Sequence, residues 1–564
     1  MRRLLVCCLT VFTFQLCAEL RGEEKVYPYR WVYVMCEQFE PGTVSRVREI
    51  AKTCAEHGVN GIVLSGALDR LDLESPYTFK TIAEIKLIAE EYGLEIIPQI
   101  MGVGYNAFML AHDKNLAEGL SVKDALFVAG AHTARHVPDP AVSLVNGGFE
   151  SFDGSKVEGF SFPYDHQVAF PDTRIFKEGK TSLRFEKFGK KENDSRLIQE
   201  VEVQPNRLYR VSFWVKTEGL DPSNPFGSGR FRVEALGDGE RRLSFFDPQV
   251  PGTTGWRKVC VGFNSKSYSR VTLSLGVYGG KTGRFWLDGM KLEEVGLVNL
   301  LRRPGAPLVV TDEASGAVYE EGRDYTRVED IMLNFMFDHD GPEIELLPGS
   351  RIKEGARLRV SYYQGTAIYQ GQTPVCMSEP VVYEIWRKQI KLFEKVFGAG
   401  KYLLGTDELR VAASCQACKS RSMSAAQILG DCVSRQVKMI REVKPDAELF
   451  IWSDMFDPNH NANKRDYYYL VDEDFYGAWE YIPTDLIMLC WHHRQRDNSL
   501  PHFSKLGFRT MAAGYYDQDN LDNINTWLQS LDRTPGAVGI MYTTWLNKYD
   551  LLGAFGDLVT KRGK

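Results

Sequence analysis

"KYLLGTDELR", residues Lys401–Arg410, is a short apolar run that stops at two adjacent carboxylates, Asp407 and Glu408. Taken alone it is either the loaded end of a strand or an acidic helix start, since carboxylates near an N-terminus cap orphan N–H groups and complement the helix dipole. Its surroundings choose between these. A helical pattern from about Val381 to Phe397 leads into it, and another from about Ala425 to Val443 leads to ELFIWSDMF at Glu448–Phe456. DLIMLCWHH, FRTMAAGYYD and AVGIMYTTW then follow as apolar strands, with LDNINTWLQSL and YDLLGAFGDLV as later helices. At the other end, WVYVM (31–35), GIVLSG (61–66) and LEIIPQI (94–100) alternate with helical patterns over Thr43–His57 and Tyr77–Tyr92. Near-continuous apolar strands separated by amphipathic helices are parallel strands covered on both faces. Three strands before the interruption and five after it make eight, the number that closes a (β/α)8 barrel. The fold class is therefore α/β, a TIM barrel interrupted after its third strand, with "KYLLGTDELR" as the fourth.

The interruption is all β. From about Leu144 to Val295 the chain reads as short alternating strands and turns, among them LIQEVEVQ, RFRVEAL and WRKVCVGF, the texture of an antiparallel sandwich. "NGGFES" at 146–151, "RLYRVSFWVKT" at 207–217 and "GRFWLDGMKLEEV" at 283–295 resemble the jelly-roll carbohydrate-binding modules of families 4, 9 and 22. That resemblance implies a jelly roll, and carbohydrate as its ligand where the module binds at all. A second small β unit follows, about 301–370, with turn residues at nearly every strand end. The boundaries expected are 26–140 for the first barrel part and its connection, 141–298 for the sandwich, 299–372 for the small unit and 373–564 for the second barrel part.

A net charge of -6 and a pI near 6.0 give no basic footprint for nucleic acid or anionic lipid. Two arginines followed by an apolar run from Leu4 to Cys17 give residues 1–22 the layout of a secretory signal, too short for a comfortable membrane span. The expectation is export to the periplasm or beyond, without stable membrane insertion. Cys17 lacks the small preceding residue of a lipoprotein box, so anchoring is not expected. Three of the 11 cysteines lie in this segment. Of the rest, Cys415 and Cys418 form one C-x-x-C without a second pair, for which a local disulfide or two buried thiols is a plainer reading than zinc.

Barrel function sits at the C-terminal strand ends. Those positions carry Glu37 after strand one, Asp407 and Glu408 after four, Trp452 and Asp454 after five, Trp491 and His492 after six, Tyr515, Tyr516 and Asp517 after seven, and Tyr542 and Trp545 after eight. Carboxylates supply acids, bases or nucleophiles for glycosidic cleavage, and flat aromatic faces bury the apolar faces of sugar rings. Strand seven ends in GYYDQ without a glutamate, so the usual partner of a strand-four acid is missing. Neighbours on one strand point to opposite sides, so Asp407 and Glu408 are not expected to flank one bond between them.

"GTDE" at 405–408 resembles the "GGDE" motif of the glycoside hydrolase family 20 β-N-acetylhexosaminidases, and the likeness extends loosely over about 375–550. The resemblance implies an exo-acting, retaining, substrate-assisted hydrolase in which Asp407 polarises a 2-acetamido group and Glu408 protonates the leaving oxygen. It further implies a pocket lined by Trp452, Trp491 and Trp545, with Tyr515 or Tyr516 on the acetamide. The chain departs from that family at strand one, where Glu37 and Gln38 stand in place of a sugar-binding arginine. It departs again at Thr406, and after "PQIMGVGYN", where an aspartate and histidine are absent.

Two rivals remain. One keeps glycoside hydrolysis but pairs Glu408 with Asp454, Asp517 or Glu37 on a neutral sugar; the other is a non-catalytic carbohydrate-binding protein. No cofactor and no metal is assigned: Asp454, Asp457, His460, His492 and His493 have ligand chemistry but lack metal-site spacing. The partner expected is an oligosaccharide or glycoconjugate.

Overall fold

The computed structural model describes residues 25–36, 39–154, 156–161, 169–186, 195–220, 230–248, 250–278, 282–369, 371–465 and 468–562. The signal-like segment and Glu37 lie outside these residues.

Eight parallel strands close a barrel in sequence order: β1 (Tyr29–Cys36), β2 (Gly61–Gly66), β3 (Glu95–Ile100), β4 (Lys401–Leu404), β5 (Glu448–Trp452), β6 (Ile487–Cys490), β7 (Arg509–Tyr515) and β8 (Ala537–Thr543), with β8 paired back to β1. Side chains alternate across each strand, as the pleat requires. Trp31, Tyr33, Val63, Ile97, Leu403, Phe450, Ile487, Leu489, Met511 and Met541 fill the interior. Val32, Val34, Ile62, Leu64, Leu404, Ile451 and Ile540 face the helices. The interior is solid at its base, where Trp31 and Phe450 rings lie 4.6 Å apart.

Besides a single turn at Gln416–Lys419, the helices among the described residues are α1 (Thr43–His57), α2 (Pro76–Glu91), α3 (Pro380–Val396), α4 (Ala425–Val443), α5 (Arg496–Lys505), α6 (Asp522–Asp532) and α7 (Leu552–Thr560). Proline opens α2 and α3, where its missing N–H costs nothing. A Ser424–Gln427 capping box opens α4. The strict β/α alternation fails once: among the described residues, 310 turns at Asp454–Phe456 and Ala478–Tyr481 replace a helix between β5 and β6. That stretch, rich in Asp, Asn and Tyr, offers no continuous apolar stripe.

The insertion is nested. One antiparallel sheet has the strand order Val318–Tyr319, Val309–Asp312, Arg357–Gln364, Leu120–Ala129, Thr133–His136, Ile344–Glu345. It therefore takes strands from both sides of the sandwich, including residues grouped by sequence with the connection from the barrel. The sandwich in turn has a five-stranded and a four-stranded antiparallel sheet whose inner faces share one core, with Phe213, Phe285 and Leu287 from one and Leu197, Val233 and Leu273 from the other. Each level returns next to where it left. Glu118 N donates to Pro374 O at 2.9 Å and Cys376 N to Leu116 O at 2.8 Å at the outer neck. Asp139 N donates to Glu294 Oε2 at 3.0 Å at the inner one.

The sandwich folds back onto the barrel mouth. Arg241 donates from Nε to Tyr469 O at 2.9 Å and from Nη2 to Val471 O at 2.7 Å, and the Phe245 ring packs against Tyr369 and Tyr469. Val411 and Leu470, from the loops after β4 and β5, are buried in the sandwich cluster. Those two loops also pair with each other as a short parallel ladder, Val411–Ala412 with Leu470–Val471. No helix among the described residues is long and apolar enough to cross a membrane.

Candidate active site at the barrel mouth

β4 ends at Leu404, so Asp407 and Glu408 stand beyond the strand, in a loop where Glu408 adopts a left-handed backbone, φ 47°. Strand alternation does not govern them there, and the expectation that they face opposite sides falls. The loop is wedged tightly: a Cβ at Gly104 would lie 2.2 Å from Asp407 O, so only glycine lets the β3 loop pass. Buried Asp69 fixes that passing loop by accepting from Met101 N at 2.7 Å and Gly102 N at 2.8 Å.

Glu408 is held by residues that the sequence did not single out. Arg410 Nη2 pairs with its Oε2 at 2.8 Å, and the Tyr105 hydroxyl donates to the same oxygen. Arg410 also donates to Tyr105 Oη at 3.1 Å and to Gln372 Oε1, and Gln372 Nε2 donates to Glu408 O at 2.6 Å. Oε1 of Glu408 takes no hydrogen bond among the described residues, and the side chain is 24 % exposed. One oxygen is thus anchored and the other is left without a partner among the described residues.

Asp454 is fully buried and joins the pair from β5, its Oδ2 accepting from Glu408 N at 2.8 Å and from Asn461 Nδ2 at 2.9 Å. Burial first, and then the charge of Glu408, push its carboxyl up to about 7; the Trp491 indole N–H beside it acts in the opposite direction. Asp407 is raised well above the usual carboxylate range, first by burial, then by the charges of Asp454 and Glu408. Two desolvated carboxyl groups thus lie beside a third that is partly exposed, and their repulsion favours keeping a proton among them. Asp454 Oδ1 and the Tyr516 hydroxyl are buried there without a hydrogen-bond partner among the described residues.

Asp454 binds its proton more tightly when folded than in the unfolded chain, where its value is the ordinary 3.8. Its contribution to stability is therefore full at low pH and is lost as pH rises through about 7. Asp454→Asn, which carries no charge, is expected to raise the melting midpoint by a few degrees at pH 8 and to leave it nearly unchanged at pH 4. A melting series across that range checks the sign, and a lower midpoint at pH 8 would contradict it.

Aromatic rings frame the carboxylates. Trp452 and Trp545 rings are 6.5 Å apart, Tyr33 lies 5.9 Å from the first and 5.4 Å from the second, and Tyr516 stacks toward Trp545 at 6.4 Å and lies tilted against Trp491 at 6.4 Å. The Tyr33 hydroxyl donates to Gln99 Oε1 at 2.7 Å and lies near enough to Asp407 to feel its charge.

Four residues named from the sequence do not serve as expected. Tyr515 and Tyr542 stack on each other at 4.1 Å in the layer between strands and helices, away from the mouth. The cause at β7 is local: Tyr515, Tyr516 and Asp517 are consecutive left-handed residues, φ 82°, 52° and 58°, which turn Tyr515 outward and Tyr516 inward. At β8 it is the pleat, because Met541 points in and Tyr542 out. Asp517 is spent holding the β8 loop, accepting from Thr544 Oγ1 at 2.5 Å, Trp545 N at 2.8 Å and Leu546 N at 3.3 Å. It positions Trp545 and is not a free nucleophile. His492 forms the rim, its ring stacked 4.4 Å from His460 and its Nδ1 bonded to Asn459 O at 3.2 Å. Burial, then His492, lowers His460 to about 3, so it stays neutral. Among the described residues these histidines and Asp457 do not converge on a common point as metal ligands would.

No family model matches this chain, and no curated protein does. Among solved structures, a family 61 carbohydrate-binding module in complex with β-1,4-galactotriose aligns at 19% identity over 27% of this chain and 97% of its own, TM-score 0.22. The CBM22-1 xylan-binding domain of Paenibacillus barcinonensis Xyn10C aligns at 18% over 29% of this chain and 98% of its own, TM-score 0.20. A rhamnosidase from Novosphingobium sp. PP1Y aligns at 10% over 93% of this chain but 56% of its own length, TM-score 0.29. At such TM-scores, what the barrel mouth can do rests on its own geometry.

Proposed function

We propose that this chain is a glycoside hydrolase acting at the barrel mouth, with Asp407 and Glu408 as its catalytic residues. The observation that carries the proposal is the convergence of desolvated Asp407 and Asp454 with partly exposed Glu408 among Trp452, Trp491, Tyr516 and Trp545. Glycosidic cleavage passes through a cationic, oxocarbenium-like transition state. Arg410 offsets the charge of Glu408 from one side, and positive charge developing among the carboxyls relieves the repulsion that remains, which is stabilisation specific to the transition state. The aromatic rings suit the apolar faces of a sugar.

Within that reading we assign substrate assistance. Asp454 is fully buried beneath the loop and bonded to Glu408 N, so it acts as a positioning group and not as a nucleophile at the substrate. Asp517 is committed to the β8 loop. With no second free carboxylate among the described residues at the mouth, an acetamido oxygen of the substrate supplies the attack. Asp407, its basicity raised by burial and then by the charges of its neighbours, accepts the acetamide N–H as that group becomes cationic. Glu408, anchored through Oε2, gives and recovers the proton at Oε1. The Tyr33 or Tyr516 hydroxyl orients the acetamide. The signal-like residues 1–22 support export, where oligosaccharides and glycoconjugates are met.

A panel of aryl glycosides tests this, with β-N-acetylhexosaminides set against neutral β-hexosides and α-rhamnosides. Hydrolysis of the acetamido sugar, blocked by a thiazoline-type inhibitor, is the expected result. Turnover confined to neutral sugars overturns substrate assistance, and no turnover of any glycoside overturns the enzyme.

A further inference from the structure

Away from the carboxylates, four buried ligand-type groups meet at the neck of the insertion. Glu118 leaves the barrel side of the neck, Cys376 returns on the other, and Cys415 and Cys418 lie in and beside the short helix Gln416–Lys419, downstream of Arg410 in the β4 loop. Their relative exposures are 2%, 0%, 0% and 1%. Cys376 Sγ lies 3.4 Å from Cys415 Sγ and 3.8 Å from Cys418 Sγ, and Glu118 Oε2 lies 3.6 Å and 3.5 Å from the same two sulfurs. All four ligand atoms fall within 4.8 Å of one another.

Those spacings have a geometric meaning. A tetrahedral zinc with Zn–S of about 2.3 Å and Zn–O of about 2.0 Å separates its sulfurs by about 3.8 Å and sulfur from oxygen by about 3.5 Å. The protein also orients the carboxylate as a metal site's surroundings do. Glu118 Oε1 accepts from Ser414 N and Cys415 N, both at 2.8 Å, which turns Oε2 toward the sulfurs. Arg303, also buried, lies against Cys415 and gives its N–H groups to Asn115 O, Ala117 O and Glu379, fixing the neck around the cluster. Three thiols and a carboxyl packed away from water, with no sulfur bonded to another, are a poor arrangement for a core and a good one for a divalent cation.

We propose that Glu118, Cys376, Cys415 and Cys418 bind one structural zinc ion, which clamps both ends of the insertion to the loop that carries Asp407 and Glu408. All four positions of the tetrahedron are protein groups, so the site is closed and holds no water for catalysis. Binding displaces the protons of the ligating groups to solvent, and the ion replaces them. The inference does not depend on which reaction the barrel mouth performs.

The full chain, purified without chelator, tests it by elemental zinc content and by the thiolate-to-metal absorption of the cobalt-substituted protein. About one zinc per chain is expected, together with a cobalt–thiolate band. Cys415→Ser with Cys418→Ser should lose both at least tenfold, while Cys260→Ser, at a partly buried cysteine in the sandwich, keeps both. Should the double variant fail to fold, Glu118→Gln retains the thiols and is expected to weaken zinc binding by about 10- to 100-fold and to shift the cobalt spectrum. Zinc below a tenth of an equivalent without a cobalt–thiolate band, with or without a disulfide found in its place, overturns the site. Zinc that persists in the double variant, or an unchanged affinity and spectrum in Glu118→Gln, overturns the assigned ligands.

Discussion

Glu408→Gln is expected to lower kcat on an aryl glycoside with a poor leaving group by about 10³, within the range that positioned acid–base groups contribute. The amide keeps the side chain's shape, and its oxygen still accepts from Arg410 and Tyr105, so the loop's geometry survives. What disappears is the proton at the unanchored oxygen. A dinitrophenyl leaving group departs without that proton, so on such a substrate the loss in the first step should nearly vanish. The contrast between the two leaving groups is the measurement. Equal loss on both would mean that the substitution damages structure and not acid catalysis, and no loss on either would mean that Glu408 is not the acid.

Asp407→Asn should cost about 10² in kcat/KM on an acetamido sugar, because an amide cannot carry the negative charge that a developing oxazolinium pairs with. It also removes the carboxyl whose shift Asp454 and Glu408 raise, so one titrating member of the crowded trio is lost. Asp454→Asn leaves every group at the mouth in place and should cost less. Kinetics of the two variants on one acetamido substrate check the order. A larger loss at Asp454 than at Asp407 would favour the reading in which Asp454 is the second catalytic carboxylate on a neutral sugar.

The barrel was legible because its strands are buried on both faces and read as near-continuous apolar runs, each long enough to stand out against the helices between them. Thr43–His57 and Ala425–Val443 are helices over those residues in the structure. The mouth was legible only in part. Asp407, Glu408, Asp454, Trp452, Trp491 and Trp545 gather there because strand ends in a barrel converge. Tyr515 was misread because a run of three left-handed residues reverses the pleat, and such backbone leaves no mark on side-chain pattern at non-glycine positions. Arg410 ends the very stretch "KYLLGTDELR", yet nothing along the chain says that it turns back onto Glu408, two residues earlier. Tyr105 and Gln372 reach the site from either side of the insertion, a proximity that only the closed neck creates. The C-x-x-C looked incomplete for the same reason, since Glu118 and Cys376 come from the two ends of that neck.

Nesting also sets a timetable for the growing chain. Loop-closure entropy rises by only about 0.6 kcal/mol per doubling of length, but the ends of an unfolded insertion must still find each other before β3 can pair with β4. Once the sandwich has formed, and then the sheet around it, each delivers its two ends side by side, and the barrel closes across what is in effect a tight turn. Assembly therefore runs from the innermost module outward. β1 finds its second neighbour only when β8, made after the other seven barrel strands, arrives at the Trp31–Met541 register. Until then the first three strands wait as an apolar half-wall, and that interval is when this chain is most exposed to aggregation.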